Sequence, residues 1–365
     1  MAAGQRVPPM DVPRLLRPLS RVPRWAVFAF ALTGLLLQAF GLYWDIWRHV
    51  VVGRESFFTP PHVVLYAGFG YVALAGIVGS VAGASAPRWA GPRVHIVGLL
   101  VPVEFLLIGT GALFQALAFP WDEAWHRLVA EGLVTETFWS PPHVMAIAGG
   151  ILSTFGFFVA VVLERTRWNG ARSGLGLVAV GIGAGLLLFG LQVLLGPMDF
   201  ATTFNGQVLR DAIAYPTGVS LATPAVLILA VLAGRRAGLA TLSAAVYTSL
   251  RSLMIVGQFA LPPPVLFLAP VVDLAFFGLQ TRRFGLIAAT LTGGAWAVLF
   301  YVVYLILRGF AMDPLFVALF SFTVFIAGGV SAATGFAVAR IVQKLESSAA
   351  TSSAATVPAV VTPAS

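Results

Sequence analysis

Two stretches of the chain carry most of its candidate metal-binding side chains. The first, YWDIWRHVVVGRESFFTPPH, runs from Tyr43 to His62, and the second, PWDEAWHRLVAEGLVTETFWSPPH, from Pro120 to His143. Each contains Trp-Asp (Trp44-Asp45, Trp121-Asp122), a His four residues after the Asp (His49, His126) and a closing Pro-Pro-His (His62, His143). A Glu stands seven residues before the last His in both (Glu55, Glu136), and the second copy is longer by four residues between its first His and its Glu. Four of the five histidines therefore lie in two matching frames. Asp and His at i and i+4 share one face of a helix, and Pro-Pro opens the next helix, placing the closing His in its first turn. Such a hairpin gathers one carboxylate and two imidazoles, a ligand set for a divalent transition metal with positions left for water or substrate. Glu55 and Glu136 are then fourth ligands, acceptors for an imidazole N–H, or bases. The plainer account makes these residues solvated loop groups and Pro-Pro-His a mere helix start. Two copies that keep Asp, His, Glu and His while most intervening residues differ favour the metal.

The elements that must position these frames are membrane helices. A chain of 365 residues, 59% hydrophobic and 10% charged, cannot hide its apolar side chains in one soluble core. Its apolar runs predict an all-α polytopic bundle with ten spans, at about 25–43, 61–85, 94–118, 141–163, 174–196, 217–234, 238–260, 263–280, 284–307 and 315–340. With ten crossings, sixteen Lys and Arg residues fall on the side of the termini and five on the other. That asymmetry places both termini in the cytoplasm of a plasma (inner) membrane protein, with both frames facing outside, toward the periplasm. The net charge of +8 is thus topological; the partner is the lipid bilayer, and nucleic acid is excluded. No cysteine is present, so disulfides and thiolate ligation are excluded too. Residues 1–24 read as a retained cytoplasmic segment with five Arg. Residues 346–365, rich in Ser, Ala, Thr and Pro, read as a disordered tail.

Repetition extends beyond the two frames. Gln38, Gln115 and Gln192 recur at one constant interval (115 − 38, 192 − 115), and Asp45, Asp122 and Asp199 follow each of them by seven. The third unit has no histidine and reads Tyr215-Pro216-Thr217-Gly218 in place of Pro-Pro-His. These spacings predict three helical hairpins over 25–85, 94–163 and 174–234, the third without ligands, followed by four further helices over 235–345.

The spacing Asp45-x3-His49-x12-His62 resembles the copper-site motif in the C subunit of the particulate methane and ammonia monooxygenases. Asp122, His126 and His143 join that resemblance only through the internal repeat, because their second gap is longer. The likeness covers these two short stretches and no more of the chain. The chain departs from the pattern in having two frames and four helices after the repeats. The resemblance implies copper, oxygen chemistry of a membrane monooxygenase-like oxidoreductase or a copper-handling component, and partner subunits in a membrane complex. Imidazole and carboxylate by themselves suit zinc, iron or manganese as well.

Transport is the competing class. Glu104, Arg251 and Asp273 fall within predicted spans, where charges are expensive and functional by default. Arg251 and Asp273 are expected at equal depth on antiparallel neighbours, as an ion pair. Glu104 lacks an evident partner and marks the candidate proton or ion path. Against transport, carriers place their site at the midplane between broken helices, whereas these ligands gather at one surface. Bis-His haem is disfavoured by the paired carboxylates.

Overall fold

The computed structural model describes residues 18–52, 58–85, 92–96, 99–129, 140–165, 171–195, 208–253, 264–281, 283–310 and 312–354. Their helices are α1 (Arg24–Val51), α2 (Pro60–Ser85), α3 (Val103–Leu128), α4 (Pro141–Arg165), α5 (Ala171–Leu195), α6 (Val208–Gly234), α7 (Leu239–Leu253), α8 (Val265–Leu274), α9 (Phe276–Leu279), α10 (Gly285–Arg308) and α11 (Pro314–Ala354). Eight of them, all but α7, α8 and α9, are long and apolar enough to cross a bilayer. The chain is a multi-pass membrane protein built as a helical bundle.

Several boundaries differ from those expected. Residues Arg93–Ile96 (β1) and Leu99–Pro102 (β2) form an antiparallel hairpin, with Arg93 opposite Pro102 and Ile96 opposite Leu99. Val94, Ile96 and Val101 are β-branched and favour that geometry. The hairpin takes the place of the expected start of the third span, so α3 begins only at Val103. In the second half, the expected span 238–260 is represented by α7 of 15 residues and the span 263–280 by α8 of 10 and α9 of 4, with 254–263 outside the described residues. The expected disordered tail is helical up to Ala354, because α11 continues for 41 residues. A segment of Ser, Ala and Thr that extends an existing helix needs no new nucleus, which is the unfavourable part of helix formation.

The first two hairpins close on glycine at corresponding places. A Cβ on Gly34 would lie 2.7 Å from the Gly68 carbonyl oxygen, and one on Gly111 would collide with the Gly149 carbonyl. Gly34 and Gly111 are separated by the same interval as Gln38 and Gln115 (111 − 34, 115 − 38). Gly68 and Gly149 are separated by the same interval as His62 and His143 (149 − 68, 143 − 62). Without side chains there, the backbones of α1 and α2, and of α3 and α4, pack at close range, as small residues permit in membranes. In α5 and α6 the buried Gln192 Nε2 donates to Thr223 Oγ1 at 2.7 Å instead.

The two ends of the bundle differ chemically. One end is rich in arginine. Arg24 Nη1 meets Glu164 Oε2 at 2.8 Å, while Glu346 receives Arg165 at 3.0 Å and Arg235 at 2.9 Å. These pairs tie α1 to α4, and α11 both to α4 and to the end of α6. The opposite end carries the C-termini of α1 and α3 and the N-termini of α2 and α4, and with them the two frames.

Candidate functional site

The closing histidines sit where the local sequence puts them. Ser140 precedes Pro141 and Pro142, and its Oγ accepts from the His143 backbone N–H at 3.4 Å, capping α4. The prolines bring no N–H to the first turn, where helix donors lack intrahelical partners. Thr59 stands at the same place before Pro60, Pro61 and His62, and both Thr59 and Ser140 are buried. The hydroxyl residue before Pro-Pro-His is a signal that the ligand pattern alone passes over.

Each closing histidine meets the Asp of its own frame. His62 Nε2 lies 3.0 Å from Asp45 Oδ1, and His143 Nε2 lies 3.1 Å from Asp122 Oδ1. Asp45 is six residues from the C-terminus of α1 and Asp122 six from that of α3 (51 − 45, 128 − 122). Both frames thus build the same contact by the same means. His49 and His126 belong to α1 and α3, so each shares a helix with its Asp at i+4; their side chains lie outside the described residues. Glu55 and Glu136 lie outside them altogether.

Both pairs face a single cavity of about 110 Å³, lined by Asp45, His62, Asp122 and His143 together with Tyr66 and Phe119, among others. Tyr66 was not among the expected site residues, although it stands one turn after His62. Its ring stacks on that imidazole (5.6 Å between centroids, 11° between planes) and takes the edge of Phe119 at 4.0 Å. Tyr66 also lies within electrostatic reach of both Asp45 and Asp122. Beneath this cavity, toward the bundle centre, Gln38 and Gln115 join in reciprocal hydrogen bonds of 3.2 and 2.9 Å. Their regular spacing marks the repeat in the sequence, and in the fold it becomes a contact in which each residue does to the other what is done to it.

Each Asp–His separation is that of an ordinary carboxylate–imidazole contact, and the same distance is compatible with two ligands on one ion. Two ligands each about 2.1 Å from one ion are about 2.9–3.4 Å apart for angles between the octahedral and tetrahedral values. The Asp–His separations of 3.0 and 3.1 Å fall within that range. Among the described residues no three His, Asp or Glu side chains are grouped closely enough to hold one ion, so the described donors come as two pairs.

The three charges expected at mid-membrane have surroundings that their spacing along the chain does not show. Glu104 lies in the first turn of α3, at the arginine-rich end. It is buried, with Arg24, Arg93 and Glu164 within electrostatic reach. The expected pair of Arg251 and Asp273 does not form. The Asp273 carboxylate caps α7, accepting from the backbone N–H groups of Gly238 (2.7 Å), Ala240 (3.1 Å) and Thr241 (2.9 Å) and from Thr241 Oγ1 (2.6 Å). Arg251, near the other end of α7, is buried, donates to the Tyr43 hydroxyl and stands 5.3 Å from the centre of that ring.

Comparison with models of known families, with characterised proteins and with solved structures gives no match.

Proposed function

We propose that this chain is a membrane metal protein in which the first two hairpins each hold one ion, the two ions facing a common cavity at the outer surface. Asp45, His49 and His62 are the ligands of one site and Asp122, His126 and His143 those of the other, with Glu55 and Glu136 as fourth ligands or imidazole acceptors. The observation that carries this reading is the double occurrence of an Asp–His contact, at 3.0 and 3.1 Å, on the wall of one cavity. An ion there would be held by the carboxylate and a neutral imidazole of each pair, which must give up any proton on the ligating nitrogen. The frames descend from one duplicated hairpin, of which α5 and α6 are a third copy that lacks the histidines. Copper is the proposed ion, with zinc, iron and manganese as alternatives to be offered beside it. Bound copper would supply one-electron redox chemistry next to a cavity with room for a small substrate; the protein then acts as an oxidoreductase or as a copper-handling component. Orientation follows the arginines, with both termini in the cytoplasm and the paired site on the periplasmic side of the inner membrane. The surroundings of Glu104 speak for a role in holding the arginine-rich end together rather than in a midplane ion path.

Elemental analysis of the full chain purified in detergent tests the proposal. His62→Ala should remove about half of the bound metal, His143→Ala the other half, and the double substitution all of it, since losing an imidazole from a small ligand set lowers affinity by more than about 100-fold. Asp199→Asn, at the matching place in the third hairpin, should change nothing. Complete loss on either single substitution would replace two sites with one. Folded wild-type protein that stays metal-free when copper, zinc, iron and manganese are each offered would end the metal reading.

A further inference from the structure

The chamber beside the glutamine pair is not explained by metal binding. It has a volume of about 90 Å³ and shares Leu42, Leu65, Phe69, Ala146 and Ile147 with the cavity of the Asp–His pairs. The remaining wall is apolar apart from Gln38, Gln115 and Thr154, and none of its lining residues is charged. A primary amide has two N–H donors and two carbonyl lone pairs. The reciprocal bonds use one of each on either glutamine, so each amide keeps a further donor and a further acceptor. Interiors are close-packed, and a hollow beside such groups, partly open to its surroundings, leaves their spare donor and acceptor unused unless something enters it.

The two hairpins show how the space arises. Phe69 and Gly150 occupy the same place in their hairpins, each seven residues after the closing His (69 − 62, 150 − 143). The Phe69 ring packs against Phe119 at 4.7 Å. On the other hairpin, a Cβ at Gly150 would lie 3.1 Å from Gln115 Nε2 and 3.7 Å from Gln38 Oε1, with nothing else within 4 Å. One hairpin fills this position with a phenyl ring, and the other leaves it open directly over the amides.

We propose that this chamber binds a small uncharged organic molecule with a carboxamide or hydroxyl head. The head donates to and accepts from the Gln38–Gln115 pair, and the short apolar body rests against Leu35, Ile151 and Phe189. A charged head has no counter-ion in this wall and would lose its hydration without replacement. An apolar cavity of about 150 Å³ accepts benzene, so a chamber of about 90 Å³ suits a body of roughly three to five non-hydrogen atoms. The adjoining cavity brings the ligand alongside both Asp–His pairs.

This inference does not depend on metal and is tested with metal removed by chelation. The full chain in lipid nanodiscs is titrated with fluoroacetamide and followed by fluorine NMR, with empty nanodiscs correcting for partition into lipid. Saturable binding is expected for the wild type and for His62→Ala, and none for protonated fluoroethylamine. Gly150→Leu, which fills the chamber, should abolish binding, and Gly150→Ala should weaken it by about tenfold. No saturable binding by the wild type overturns the proposal, as does a folded Gly150→Leu protein that binds as well as the wild type. Should Gly150→Leu fail to fold, an unchanged affinity in Gly150→Ala overturns it equally.

Discussion

A carboxylate can serve a helix rather than an ion pair, and Asp273 does so. Four hydrogen bonds from residues 238–241 hold it at the start of α7, while Arg251 sits about 16 Å further along that helix at 1.5 Å per residue. Hydropathy places both residues inside apolar runs. Which backbone groups a side chain meets depends on where α8 ends against α7, and spacing along one chain does not contain that. Asp273→Ala should lower stability by about 1–2 kcal/mol through loss of the cap. Arg251→Leu should act separately by removing the guanidinium that donates to the Tyr43 hydroxyl. Thermal or denaturant unfolding in detergent should find the two losses additive within about 0.5 kcal/mol. Recovery of stability in the double substitution would restore the ion pair expected from the sequence.

At the level of the element, the hairpins are legible where their signals are local. Pro-Pro-His marks the starts of α2 and α4, and the regular recurrence of Gln and Asp picks out matching positions on α1 and α3. The glycines that close each hairpin follow the same offsets, yet only the packed helices reveal them as contacts. Gly34→Ala and Gly111→Ala should each cost about 1–3 kcal/mol by overpacking. Gly70→Ala is the control: nothing lies within 4 Å of its added Cβ, and alanine in an open helical site should stabilise by about 0.5–1 kcal/mol. Equal effects at all three positions would mean that close packing at Gly34 and Gly111 does not hold the hairpins. Where β1 and β2 intervene, hydropathy misleads, because Leu, Val and Ile satisfy a strand as readily as a span.

For the whole molecule, composition already separates a membrane bundle from a soluble core, and the clustering of arginine at one end agrees with the pairs Arg24–Glu164 and Arg165–Glu346–Arg235. What the sequence does not disclose is that the two frames look into one space. Spacing relates residues on one helix, whereas the cavity depends on how α1 to α4 face one another. The proposed orientation predicts that a reporter fused after Arg236 is cytoplasmic and one inserted between residues 129 and 140 is external. The opposite result at both points would invert the molecule.

The division of the site between two successive hairpins also sets a schedule. His143 is synthesised well after His62 (143 − 62), a delay of about 4–16 s at roughly 5–20 residues per second. In the later part of that interval α1 and α2 are complete while α4 is not yet made. In the folded chain His62 meets Asp45 at 3.0 Å within that hairpin, so this contact uses no residue of the second. The second hairpin has the matching contact within itself, between His143 and Asp122. Each half therefore carries its own Asp–His contact, and the common cavity comes into being only when the two meet.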